Sequence, residues 1–230
     1  MRSILRYFIL PAAAILLSAA DPSWKTKPVA QWDEQDAKQF LVNSPWIKYT
    51  RPAVLPEQNE FQRRDGGVMG GGQNGVGIEA LRELNPFGFG SRTKQDNSIL
   101  LPAVPIRWES ASPVRSAEVK IGAPTWKDED YYAIAVYNMP DLLDERLKNL
   151  ATNLKRKAVL RLGGKKELKP SSVVILPEAD GLAVVIYLFP RSEPITMDDR
   201  RIELEAQIGR LLITQQFDLQ DMQLHGKLEL

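Results

Sequence analysis

The sequence predicts an α+β domain, a largely antiparallel sheet with two or three helices packed on one side, carrying a long glycine-rich flexible insertion. Three observations lead there. Helix signals come early and strand signals crowd the later half, an order that suits an α+β layout. Nine glycines, from Gly66 to Gly90, fall among polar residues with little sustained periodicity. The last third holds short period-two apolar runs bounded by turn residues, as in Arg201 to Gln207, where Ile202, Leu204 and Ala206 alternate with charged residues.

The elements follow in chain order. Asp21 to Gln31, with two prolines, is expected to be loosely held. Asp33 then caps a helix with Asp36 three residues on, Trp32 sits before the cap, and Ala37, Phe40 and Leu41 recur at helical spacing until Asn43-Ser44-Pro45. Trp46 to Tyr49 begins a strand that Pro52 limits. Residues 56–98 read as the flexible insertion, with Ile78, Leu81 and Leu84 at the spacing of one short helix. Ile99 to Glu109 is a strand broken by Pro102 and Pro105, which suggests an edge or a bulge.

Ser112-Pro113 supplies a cap and a first-turn proline, and Gly122 closes that helix. Tyr131 to Asn138 is a strand. Asp141 and Asp144 open a helix with an apolar stripe from Leu143 to Leu154, and Lys155, Arg156 and Lys157 complement its negative end. Strands follow at Ala158 to Leu162, Ser172 to Leu176 and Leu182 to Phe189, the last apolar enough to be central. Arg201 to Gln207 and Leu211 to Phe217 form a final pair around Ile208-Gly209-Arg210. The organisation is therefore 1–20 leader, 21–55 N-terminal segment with one helix, 56–98 insertion and 99–230 main domain.

The leader sets the expected compartment. Arg2 and Arg6 precede an apolar run from Tyr7 to Leu17, and Ser18-Ala19-Ala20 places small residues where a signal peptidase cuts. The run is shorter than the roughly 20 residues a membrane-spanning helix needs. The reading is a periplasmic or secreted protein, cleaved near Ala20, with no transmembrane span after cleavage. The 210 remaining residues carry 28 Lys and Arg against 29 Asp and Glu, too balanced for the positive field of a nucleic-acid binder. The absence of cysteine excludes disulfides, thiol catalysis and Cys-ligated zinc.

Candidate chemistry is sparse. His225 is the single histidine, so any Ser-His-Asp relay must use it, and a turn or strand-end position suits it better. Asp128-Glu129-Asp130 and Asp198-Asp199 lack the ligand spacing of a calcium loop, and no metal or cofactor is expected. The glycine cluster lacks the Gly-Lys-Ser/Thr ending of a phosphate loop. Glu109 is the one candidate catalytic residue. Beside Trp108, an aromatic wall can raise a carboxyl pKa and stack on a sugar, but no second acid is assignable to it. The competing reading puts Trp108 in the core with Arg107 and Glu109 facing outward. Trp46 and Trp108 are candidate groove residues, since aromatics dominate binding hot spots, and Trp24 is expected to be the most exposed tryptophan. Lys165 and Lys166 are candidates for a basic binding patch.

Four segments carry a resemblance: Ser44-Pro45-Trp46, Pro105 to Ala111, Phe189-Pro190-Arg191 with Pro194-Ile195-Thr196, and Asp221-Met222 with Gly226 to Leu230. Together they resemble a group of uncharacterised exported bacterial proteins with a signal peptide, a glycine-rich stretch and an Arg-Trp-Glu-Ser segment. The resemblance implies one exported domain and no activity. Lacking a coherent catalytic constellation, the chain is expected to be a non-enzymatic binding or scaffolding protein of the cell envelope, its partner an envelope protein or polymer. The alternative is a carboxylate-dependent hydrolase of an envelope or extracellular polymer.

Overall fold

Among the described residues, ten strands divide between two antiparallel sheets whose apolar faces meet. In the computed structural model, residues 22–55, 101–140, 149–163, 166–178 and 181–230 are described. The first sheet contains β1 (Ile47–Thr50), β3 (Val104–Trp108), β4 (Tyr131–Pro140), β7 (Ser172–Pro177) and β8 (Leu182–Pro190), in the order β1-β3-β4-β8-β7. The second contains β2 (Ala53–Val54), β5 (Ala158–Leu162), β6 (Glu167–Leu168), β9 (Arg201–Ile208) and β10 (Leu211–Asp218), in the order β2-β10-β9-β5-β6. A hairpin of β11 (Gln223–Leu224) and β12 (Lys227–Leu228) follows.

The α-helices among the described residues are α1 (Ser23–Thr26), α2 (Glu34–Val42), α3 (Ser112–Lys120) and α4 (Leu150–Arg156). The protein is α+β with antiparallel sheets. A single sheet under short helices would leave much of its apolar face in water, and a second sheet covers it. Ile106, Trp108, Ile134 and Tyr187 of the first sheet share one buried core with Leu160, Ile202, Leu204 and Phe217 of the second. Trp108 meets Phe217 edge to face across the interface, ring centres 5.5 Å apart.

The margins of this sandwich are closed differently. On one side β1 touches β10, and Thr50 Oγ1 donates to Thr214 O at 3.2 Å. On the other, α4 lies against β7 and β9, one strand from each sheet. The predicted beginning of that helix, Asp141 to Leu147, lies outside the described residues, as does the stretch 56–100.

The β3 prolines behave otherwise than the sequence suggests. β3 is an interior strand, flanked by β1 and β4, and not an edge. Pro105 is tolerated because pairing with β4 begins only at Ile106, so at Pro105 the strand is bonded to β1 alone. β8 is buried along nearly its whole length because both faces of the first sheet are covered. Its second face holds Ala133, Ala135, Val184, Ile186 and Leu188 beneath Trp126, Tyr131 and Tyr137.

Two turns explain residues the sequence singled out. Gly209 opens the two-residue β9–β10 connection with φ of 59°, the conformation a type II′ hairpin demands. His225 and Gly226 both have positive φ, 51° and 77°, in the two-residue turn between β11 and β12. The single histidine is thus an exposed turn residue.

The segment before α2 is not loosely held. Trp24 is buried edge-on to Phe40, at 5.1 Å, and Trp32 packs on the same ring at 4.8 Å. Asp36 accepts from Lys27 Nζ at 2.7 Å and from the Ser23 hydroxyl while completing the capping box with Asp33. These bonds hold the Asp36 carboxyl down at about 2, Lys27 first among them. At α3, Ala111 is the N-cap and makes no side-chain bond, so Ser112 is the first helical residue, one place beyond its predicted capping position.

Candidate functional site

Alternation along β3 sends Trp108 into the core between the sheets and Arg107 to the opposite face. That face is covered too, so Arg107 and Glu109 do not face outward as the sequence suggests; their side chains are 16% and 6% exposed. Arg107 grips Glu109 with two bonds, Nε to Oε1 at 2.8 Å and Nη2 to Oε2 at 2.9 Å. The same Nη2 donates to Glu118 Oε1 of α3 at 2.5 Å. Tyr137 Oη donates to Glu109 Oε1 at 2.6 Å, and its ring lies 5.0 Å from the guanidinium carbon.

Two carboxyls on one cation, out of water, cannot both ionise freely. Burial first, and then the Glu109 charge, push Glu118 up to about 8, so it holds its proton at neutral pH. Burial and Glu109 likewise raise the Tyr137 hydroxyl. Burial alone would lower Arg107; its bonds to Glu109 outweigh that and keep it firmly charged.

An acid with a raised pKa beside a carboxylate is the electrostatic arrangement of a glycoside hydrolase. Here, however, both acids are bonded to the same guanidinium, and Glu109 and Glu118 also lie within hydrogen-bonding reach of each other, closer than the roughly 5 Å or more that this chemistry needs. Neither acid lines either of the two depressions beside α3. The arrangement clamps β3, α3 and β4 together.

The candidate groove tryptophans are core residues. Trp46 and Trp108 are wholly buried. Trp46 packs on Phe40 at 5.3 Å and donates to Glu229 O at 2.5 Å, and Trp108 sits between Tyr132 and Phe217. Trp24, expected at the surface, is 4% exposed. In each case a large ring fills a slot that apolar neighbours leave, which outweighs exposure. Lys165 lies outside the described residues, and Lys166 pairs with Glu193 at 2.7 Å. The described part of the basic stretch is therefore partly neutralised.

The fifth tryptophan makes the surface feature. Gly122, with φ of 70°, ends α3 and turns the chain back, so Thr125-Trp126-Lys127 runs beside the helix. Trp126 is half-buried, its Nε1 donating to Asp128 O at 2.8 Å. With Val29 and the 64%-exposed Val119, it lines a mainly apolar groove of about 690 Å³. The charged residues of that lining are Arg115, Lys120 and Lys127, all cationic.

At Ser112 and Arg115 the groove meets a polar cleft of about 440 Å³. There Arg191 stacks over Tyr132 at 4.3 Å and donates to Leu230 O at 2.6 Å. Arg115 pairs with Glu129 at 3.2 Å. The sequence carried one signal for Trp126: it stands at the border of the charged run Lys127 to Asp130 rather than within an apolar period.

Among the described residues no group of His, Asp or Glu is placed to hold a metal ion, and no helix is long and apolar enough to cross a membrane. Comparison of the chain with protein-family models, curated proteins and solved structures gives no match.

Proposed function

We propose that the chain is an exported, non-enzymatic binding protein of the cell envelope, and that the Trp126 groove is its recognition surface. The observation that carries this reading is the contrast among the tryptophans. Four are buried in the core, while Trp126 presents part of its ring to an apolar depression of ligand-binding size. Export is supported by the Arg2 to Ala20 leader pattern.

A photo-crosslinking residue at position 119 tests it in envelope extracts, against a control at position 203 on the outer face of β9. One species captured from 119 and not from 203 is expected. The same mixture captured from both sites removes the proposal.

The carboxylate-hydrolase reading keeps one observation in its favour, the raised pKa of Glu118 beside Glu109. Turnover of an envelope polysaccharide that is lost in Glu109→Gln with the fold retained would establish it. The binding reading expects no turnover in either protein.

A further inference from the structure

We propose that the groove beside α3 takes an acidic segment of polypeptide, with an apolar side chain seated between Trp126 and Val119 and carboxylates flanking it on Lys120 and Lys127. This deepens the reading of the groove as a recognition surface and rests on it.

Charge complementarity carries the argument. Across the whole chain cations and acids nearly balance, 30 against 29, yet the charged lining of the groove is entirely cationic. The cations are also differently committed. Arg115 is paired with Glu129, whereas Lys120 makes only a 3.4 Å contact with Ala30 O, and Lys127 has no ion pair among the described residues. Lys120 and Lys127 are thus the cations available to a ligand, and both are exposed. An anionic group placed there meets two ammonium groups that make no ion pair among the described residues, beside an apolar floor.

The neighbouring cleft favours a peptide over an acyl chain. Past Ser112 and Arg115 the surface turns polar and carries both signs of charge, Arg191 and Lys227 with Asp128 and Glu229. An extended peptide, whose successive residues differ in polarity, can cross from an apolar floor to such a surface. A lipid tail cannot follow it without burying hydrocarbon against ions.

The probe is a fluorescein-labelled peptide with a central Leu-Phe flanked on each side by two glutamates, and a sibling with lysine at every glutamate position. Anisotropy titration of the full chain is expected to show the glutamate peptide binding tighter by at least about tenfold, weakening with salt. The Lys120→Glu/Lys127→Glu double variant, altered only at exposed side chains, should reverse that preference, and Val119→Asp should weaken both peptides. Circular dichroism and thermal melts establish that each variant is folded.

Equal binding of the two peptides overturns the proposal, as does a preference that the double variant leaves unchanged. So does tighter binding, through the same lysines, to vesicles of equal parts phosphatidylglycerol and phosphatidylcholine. A partner crosslinked at position 119, together with peptides that are not distinguished, leaves the groove reading standing and removes this one. Failure of both experiments removes both.

Discussion

Arg107 shows how one side chain decides what its neighbours can do. Without it, Glu109 and Glu118 would be two buried acids with no cation between them, and removing one partner of a buried ion pair costs about 3–5 kcal/mol. Arg107→Ala is expected to lose stability of that order in a urea titration. Glu118 gives the cluster a pH dependence with a definite sign. Its folded pKa, about 8, lies above the ordinary 4.5, so the native state binds the proton more tightly than the unfolded chain. The stabilisation is fully present below about 4.5 and is lost as pH rises through about 8. Urea midpoints measured across that window should fall with rising pH in the parent and change less in Glu118→Gln. The identity of Glu109 as a residue of interest was legible from its place beside Trp108. Its partners were not, because Glu118 and Tyr137 reach it from α3 and β4, and no periodicity within β3 encodes those distances.

At the scale of the element, α2 illustrates a segment whose local signals were sufficient. Its cap, its apolar face and its stop at Asn43 all appear where the sequence places them. What local signals could not show was that α1 docks on α2, since a tryptophan between two short polar stretches reads as exposed until Phe40 is found against it. Asp36 joins the two elements. Asp36→Ala removes the capping box and the Lys27 and Ser23 bonds together, and a thermal melt at neutral pH should show a clear drop in Tm. The Asp36 pKa is lowered, so its contribution is present above the ordinary 3.8 and is lost as pH falls through about 2. The gap between parent and variant should close there. In the second sheet β5, β9 and β10 were readable, β9 most plainly from its unbroken alternation of buried and outward residues, whereas the two-residue strands β2 and β6 are too short to carry a pattern. The groove was not readable, because its walls come from Val29, α3 and the Trp126 loop, and only folding brings them side by side.

For the molecule as a whole, the stability-determining contact is sheet on sheet. Phe217 is fully buried against Trp108, and Phe217→Ala should cost about 3–5 kcal/mol as a large-to-small core change, measured by chemical denaturation. The α+β class and the antiparallel pairing were legible from alternation and turn residues. The division into two sheets was not, since each inward-facing residue is apolar whether a helix or another sheet lies above it. The pairing of Thr50 with Val104 has a further consequence. The chain departs after β2 and returns to the strand beside β1, so everything between is topologically a single excursion from one seam. That seam is a single doorway: the chain leaves at Val54 and comes back at Val104, and both sides of the opening are framed by the same strand, β1.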